Sequence, residues 1–103
     1  AGKIVEVPAS ATLSDGTAGG VGPGAITLPL CQALLTDTVL VSEAQIRAAM
    51  RDIASSERWI IEGAAAVAVA AMKKCAHRYQ GKRVAVVLCG RNIALDTFLE
   101  AVK

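Results

Sequence analysis

The stretch VAVVLCGRN, Val84 to Asn92, constrains the fold more than any other part of the chain. After Arg83 the apolar run is unbroken to Cys89, so neither face of the segment is marked for water. Such a run fits a central parallel strand covered on both sides. Gly90 then turns the chain, and Asn92 can cap a last helix running through Val102. Parallel strands are joined by crossovers, usually helical, so the rest of the chain should alternate strands and helices.

It does so in pattern. Lys3 to Val7 alternates like a strand and stops at Pro8, which cannot donate to a ladder. Asp15 to Gly24, DGTAGGVGPG, carries five of the nine glycines and is either a flexible ligand loop or a linker. Ala25 to Leu35 has helical apolar spacing, with Pro29 tolerable only near the first turn. Asp37 to Ser42 reads as a short strand, and Ser42 with Gln45 forms a capping box for a helix from Glu43. On that helix Ile46, Ala49, Met50 and Ile53 share one face, while Arg47, Arg51 and Asp52 turn away. Trp59, Ile60 and Ile61 lead to Glu62, and a second helix runs from Gly63 to about Tyr79, closed by Gly81. Its first two turns are nearly all Ala and Val, so it must pack closely on several sides. The order strand, helix, strand, helix, helix, strand, helix predicts an α/β fold: a three-layer, open, mostly parallel sheet with helices on both faces.

Composition agrees with a buried globular fold, since 53% of residues are hydrophobic and 19% charged. Trp59, Tyr79 and Phe98 are the only aromatics, so small aliphatic side chains build the core. Eleven basic and nine acidic residues give a net charge of +2. There is no basic stripe with interleaved aromatics, so nucleic acid is not an expected partner. Cys31, Cys75 and Cys89 are odd in number and lack CxxC spacing, which argues against a disulfide framework or zinc site and fits a reducing cytoplasm. Cys31 and Cys75 fall within helix patterns and read as core. The segment AGKIVEVPAS is not a leader, and GAAAVAVAAM is too short for a bilayer, so no membrane association is expected. The start at Ala1, without Met, suggests a piece of a longer protein.

Ligands of open parallel sheets gather beyond the carboxyl ends of strands, where helix N-termini offer free N–H groups. The DGTAGG loop, Glu62 before EGAAA, and Cys89 before GRN meet that criterion. Each has a plain alternative. Glu62 can simply complement a helix dipole, worth about 0.3–1 kcal/mol. Cys89 can be a small buried hydrophobe, and the glycine loop has neither Walker A nor GxGxxG order. His77, beside Lys73, Lys74 and Arg78, fits a solvated helix end.

Taken in order, SDGTAGG, TDTVLVSEAQIRAAM, IIEGAAAVAVAAM and VAVVLCGRN resemble the C-terminal part of the catalytic domain of serine/threonine dehydratases. These are pyridoxal-phosphate enzymes of the tryptophan-synthase-β-like class, fold type II. The likeness runs from about Ser14 to Val102, and its most specific part is the last motif with its spacing from Glu62. It implies that residues 1–103 are the C-terminal segment of the cofactor-binding domain.

The resemblance also implies roles. The position of Cys89, Ser or Cys in the family, hydrogen-bonds the pyridine nitrogen of the cofactor. A neutral partner there cannot keep that nitrogen protonated as a carboxylate would, which weakens the ring as an electron sink and favours loss of a β-substituent. Glu62 lies beside the ring, Gly16 lies near the 3-hydroxyl side with Asp15 steadying its turn, and Gly90 and Asn92 shape the loop at the ring nitrogen. Gly19 stands on the substrate side where some relatives carry serine, which counts against racemisation. No catalytic residue is expected in this segment. The Schiff-base lysine, the phosphate cradle and the metal ligands of some relatives belong upstream, and Lys3, Lys73, Lys74, Lys82 and Lys103 do not match the lysine motif.

The implied function is elimination of water from L-threonine or L-serine, giving a 2-oxo acid and ammonia, by an intact, homo-oligomeric enzyme. Its partners are the remainder of its own chain and a small amino acid, and the segment alone should be inactive. Two alternatives stay open: racemisation, β-replacement or another hydroxy-amino-acid elimination on the same scaffold, and a non-catalytic α/β binding module.

Overall fold

Ser42 opens the longest helix of the computed structural model, which describes residues 2–103. Its Oγ accepts the Gln45 N–H at 3.3 Å, and Gln45 Oε1 accepts the Ser42 N–H at 2.9 Å. This is the reciprocal box the sequence predicts, and it starts a 15-residue helix. We number the helices α1 (Thr27–Leu34), α2 (Glu43–Glu57), α3 (Gly63–Lys74) and α4 (Leu95–Ala101). Short 3-10 turns occupy Asp15–Thr17 and Ala76–Tyr79. α2 ends at Arg58, whose φ of 61° makes it the one non-glycine left-handed residue among those described.

α2 and α3 form the central packed pair. Ile46, Ala49 and Met50 of α2 face Ala65, Ala66, Val69 and Ala70 of α3, with Ile53 half-buried at the edge. Small side chains let two helix backbones approach closely, which is why the alanine-rich turns are buried on several sides. Ile61, just before α3, and Met50 are the largest fully buried side chains. Phe98 and Ala101 of α4 close the core. Arg47 and Arg51 point away from that core as expected, yet they are not idle. Arg47 Nη1 donates to the Ala101 carbonyl at 3.1 Å and Arg51 Nε to the Val102 carbonyl at 3.0 Å, satisfying the last carbonyls of α4.

The expected parallel sheet is not formed. No strand occurs among the described residues. Lys3–Val7, Asp37–Ser42 and Arg83–Cys89 all lie outside regular structure. A strand has no internal hydrogen bonds, so an apolar run marks a segment able to join a sheet without guaranteeing a neighbour. The runs accordingly keep apolar side chains in the open: Val7 is 75%, Leu40 87% and Val87 72% exposed. The last run was expected to be covered on both faces and is covered on one. Val86 and Leu88 pack on the core, whereas Val87 and Cys89 face outward. The molecule is a slab of 40 × 37 × 19 Å, with a radius of gyration of 15.0 Å, against about 13 Å for a compact domain of this length.

Three smaller expectations also change. α1 keeps Pro29 in its first turn but buries no residue, so Cys31 is exposed rather than core, unlike buried Cys75. The helix expected to reach Tyr79 stops at Lys74 and tightens into a 3-10 turn before Gly81, whose φ is +71°. α4 starts at Leu95 with Ala94 as its cap residue, not at Asn92.

Candidate functional site

Glu62 is the residue on which the predicted site converges. It occupies the cap position of α3, but its side chain makes no hydrogen bond to its own helix. Instead Oε2 accepts the backbone N–H of Asn92 at 3.1 Å, and the Glu62 N–H donates to the Gly90 carbonyl at 3.2 Å. The plain account of Glu62 as a helix cap is therefore incomplete, because the carboxylate serves the loop that follows Cys89. Asn92 itself sits in the loop ahead of α4, two residues before its cap residue Ala94.

Gly90 makes this approach possible. A Cβ on residue 90 would overlap the Glu62 carboxylate, at Oε1 and Cδ. Gly63, at the first turn of α3, is equally confined. A Cβ there would run into the Leu13 carbonyl, which is backbone and cannot swing aside. This close contact between α3 and the 12–14 segment was not anticipated. The available signal was a glycine where alanine, the better helix former, fills the next three positions.

The Asp15–Thr17 turn packs against the start of α3. Asp15 Oδ1 accepts the Gly16 N–H at 2.8 Å, and a Cβ on Gly16 would lie 3.3 Å from Ala64 Cβ. Ser14, the one buried polar residue among those described, pairs its hydroxyl with that of Thr17 at 2.6 Å. Below it, Thr12 Oγ1 and the Leu13 N–H both donate to the Glu43 carboxylate. Those bonds, the Leu13 amide foremost, hold the Glu43 carboxyl below its usual range.

Between these elements lies a cavity of about 200 Å³ lined by Thr12, Leu13, Asp15, Glu62, Asn92, Ile93, Ala94 and Thr97. Of the predicted site residues, the structure brings Asp15, Glu62 and Asn92 to this cavity. Gly16 and Gly90 stand directly behind it in sequence and contact. Cys89 is exposed beside Gly90, outside the cavity, and Gly19 is exposed in the open glycine loop. The indole of Trp59 lies under the Arg91 guanidinium, 5.4 Å from the ring centroid, on the same loop. No lysine lines the cavity. No group of three or more His, Cys, Asp or Glu is placed to hold a metal among the described residues. No helix among them is long and apolar enough to cross a membrane.

A family model described as pyridoxal-phosphate dependent enzyme matches residues 1–90. A putative threonine dehydratase of Sinorhizobium fredii is 41% identical over 103 residues, covering 99% of this chain and 31% of that protein. An L-threonine ammonia-lyase of Geobacter sulfurreducens is 39% identical over 97 residues, covering 93% of this chain and 24% of the relative. An L-threo-3-hydroxyaspartate ammonia-lyase of a Pseudomonas species is 26% identical over 102 residues, 99% of this chain and 32% of the relative. The chain thus spans no more than about a third of these relatives.

A glycine-permitted approach of Glu62 shapes the loop beside an exposed thiol, and no lysine is offered for covalent attachment. With the family model matching most of its length, the chain belongs to the pyridoxal-phosphate-dependent enzymes.

Proposed function

We propose that the whole protein expels the β-hydroxyl of L-threonine or L-serine as water, a water molecule then being taken up as ammonia is released to leave a 2-oxo acid, and that residues 1–103 are the C-terminal part of its cofactor-binding domain. The observation that carries this is the convergence of Glu62, Gly90 and Asn92 beside Cys89, in a chain 41% identical to a protein named a threonine dehydratase and 39% identical to one named an L-threonine ammonia-lyase.

Pyridoxal phosphate, when bound, supplies the electron-withdrawing ring that makes an amino acid's α-proton removable. The residues of this chain would hold one edge of it. Cys89 offers an uncharged hydrogen-bonding partner to the ring nitrogen, which limits the ring's electron demand and favours expulsion of a β-hydroxyl. Glu62 stands beside the ring, Gly16 with Asp15 forms the wall on the 3-hydroxyl side, and Gly90 and Asn92 shape the turn. Gly19 leaves the substrate side without a hydroxyl to move a proton. Lys3–Val7, Asp37–Ser42 and Arg83–Cys89 would pair with strands of the remaining chain in a three-layer parallel sheet, covering the apolar side chains now exposed. A cytoplasmic homo-oligomer completes this reading.

The test is ammonia and 2-oxo acid release from L-threonine and L-serine by the full-length protein with its cofactor. Turnover of either supports the proposal, and no release from both sinks it. A second substrate, L-threo-3-hydroxyaspartate, belongs in the same assay because of the 26% identical Pseudomonas relative. Preferential turnover of that substrate moves the reading to a hydroxyaspartate lyase. A Cys89→Ser variant should keep cofactor fluorescence close to that of the parent, whereas Cys89→Asp should shift it.

A further inference from the structure

We propose that Glu62 is a positioning residue: through a hydrogen bond and not through its charge, it sets the loop Gly90–Asn92 that presents Cys89. This deepens the reading above, and it rests on that reading only for what Cys89 faces.

Three observations carry it. First, Glu62 caps α3 by position, yet its carboxylate makes no bond to that helix and is spent on the Asn92 N–H across the site. Second, its own N–H donates to the Gly90 carbonyl, so one residue grips the loop at both ends of a three-residue turn. Third, the side chain lies over Gly90 so closely that a Cβ there would displace it. The loop is otherwise lightly held. Asn92 and Arg91 are exposed, and the Arg91–Trp59 contact is on the surface. An exposed loop with so few internal ties opens locally unless something fixes its amides. Glu62 itself is anchored at the start of α3, where Gly63 to Ala66 are buried, and Ile61 before it is fully buried. The rigid helix start therefore transmits its position to the thiol three residues before Asn92.

Hydrogen bonding and charge separate by substitution. Glu62→Gln keeps an oxygen acceptor for the Asn92 N–H and removes the charge. Glu62→Ala removes both. Gly90→Ala should fold, because the clash is with the movable end of a side chain, but it should push the carboxylate off Asn92.

The experiment is amide hydrogen exchange across residues 90–92 in the full-length protein loaded with pyridoxal phosphate, with the thermal midpoint as a control on folding. Exchange should quicken about tenfold in Glu62→Ala and in Gly90→Ala, and stay within about twofold of the parent in Glu62→Gln. Adding Gly90→Ala to Glu62→Ala should change nothing further, since the alanine leaves no carboxylate to displace. Glu62→Gln behaving like Glu62→Ala, or unchanged exchange in Glu62→Ala, overturns the proposal. The exchange pattern does not depend on what Cys89 touches. Failure of the lyase assay with this pattern intact would therefore remove the proposed function and leave the positioning role.

Discussion

The Glu62 carboxylate lies over the Cα of Gly90, in the volume that any side chain at position 90 would need. Its second oxygen meanwhile accepts the Asn92 N–H at 3.1 Å. Two segments nearly thirty residues apart are thus fitted to each other at a single pair. The consequences reach both stability and the exposed thiol next door.

Gly63→Ala should cost more than Gly90→Ala. The added methyl at 63 meets the Leu13 backbone carbonyl, which moves only if the 12–14 segment moves. Overpacking of this kind costs about 1–3 kcal/mol. Chemical denaturation of the parent and both variants checks the order, and an equal or smaller loss for Gly63→Ala contradicts it.

Met50 and Ile61 are both fully buried, at the centre of the α2–α3 pairing. Truncating either to alanine should cost about 2–5 kcal/mol, from lost burial and the cavity left behind. Val87→Ala on the outward face of its run should cost much less when measured on these residues alone. The denaturation midpoints of the three variants make the comparison.

Ser42→Ala should lose about 1 kcal/mol, because the Gln45 N–H loses its acceptor at the start of α2. Ser42→Asp should restore most of it. Thermal midpoints of the two variants read this directly.

Glu43 ties α2 to the 12–14 segment and should make stability depend on acid pH. Its folded carboxyl is held below the usual value of 4.5, first by the Leu13 N–H and then by the Thr12 hydroxyl. A depressed folded pKa contributes stability that is fully present above the unfolded value and is lost as pH falls through the folded one. The stability gap between the parent and Glu43→Gln should accordingly be widest near neutrality and close in acid. Urea titrations of both proteins across that range test it, and a gap that widens on acidification contradicts it.

Much of the helical half is legible in the sequence. The capping box, the Ile46–Ala49–Met50 face and the close packing of α3 follow from local chemistry and a 3.6-residue period. Both are carried by neighbours in sequence. The candidate site residues were named by a resemblance spread over four motifs, and of them Asp15, Glu62 and Asn92 line one cavity while Cys89 lies outside it. The capping role expected for Asn92 falls instead to the position of Ala94, two residues later, while the Asn92 amide meets a residue thirty positions earlier, a contact its own neighbourhood does not announce. Cys31 looked like core on a helical pattern, but α1 has no packed face to bury it in.

The sequence by itself determined which segments are helical, which faces are apolar and to which enzyme family the chain belongs, because those are written in short-range periodicity and motif order. Only the tertiary structure decided that Glu62 serves a loop and not its own helix, that Gly63 lies against the Leu13 carbonyl, and that three strand-like runs pair with no strand among the described residues. Hydrogen bonds across distant segments and the pairing of strands depend on which groups come to lie side by side in space. An apolar run can state a need for cover, but it cannot name what supplies it.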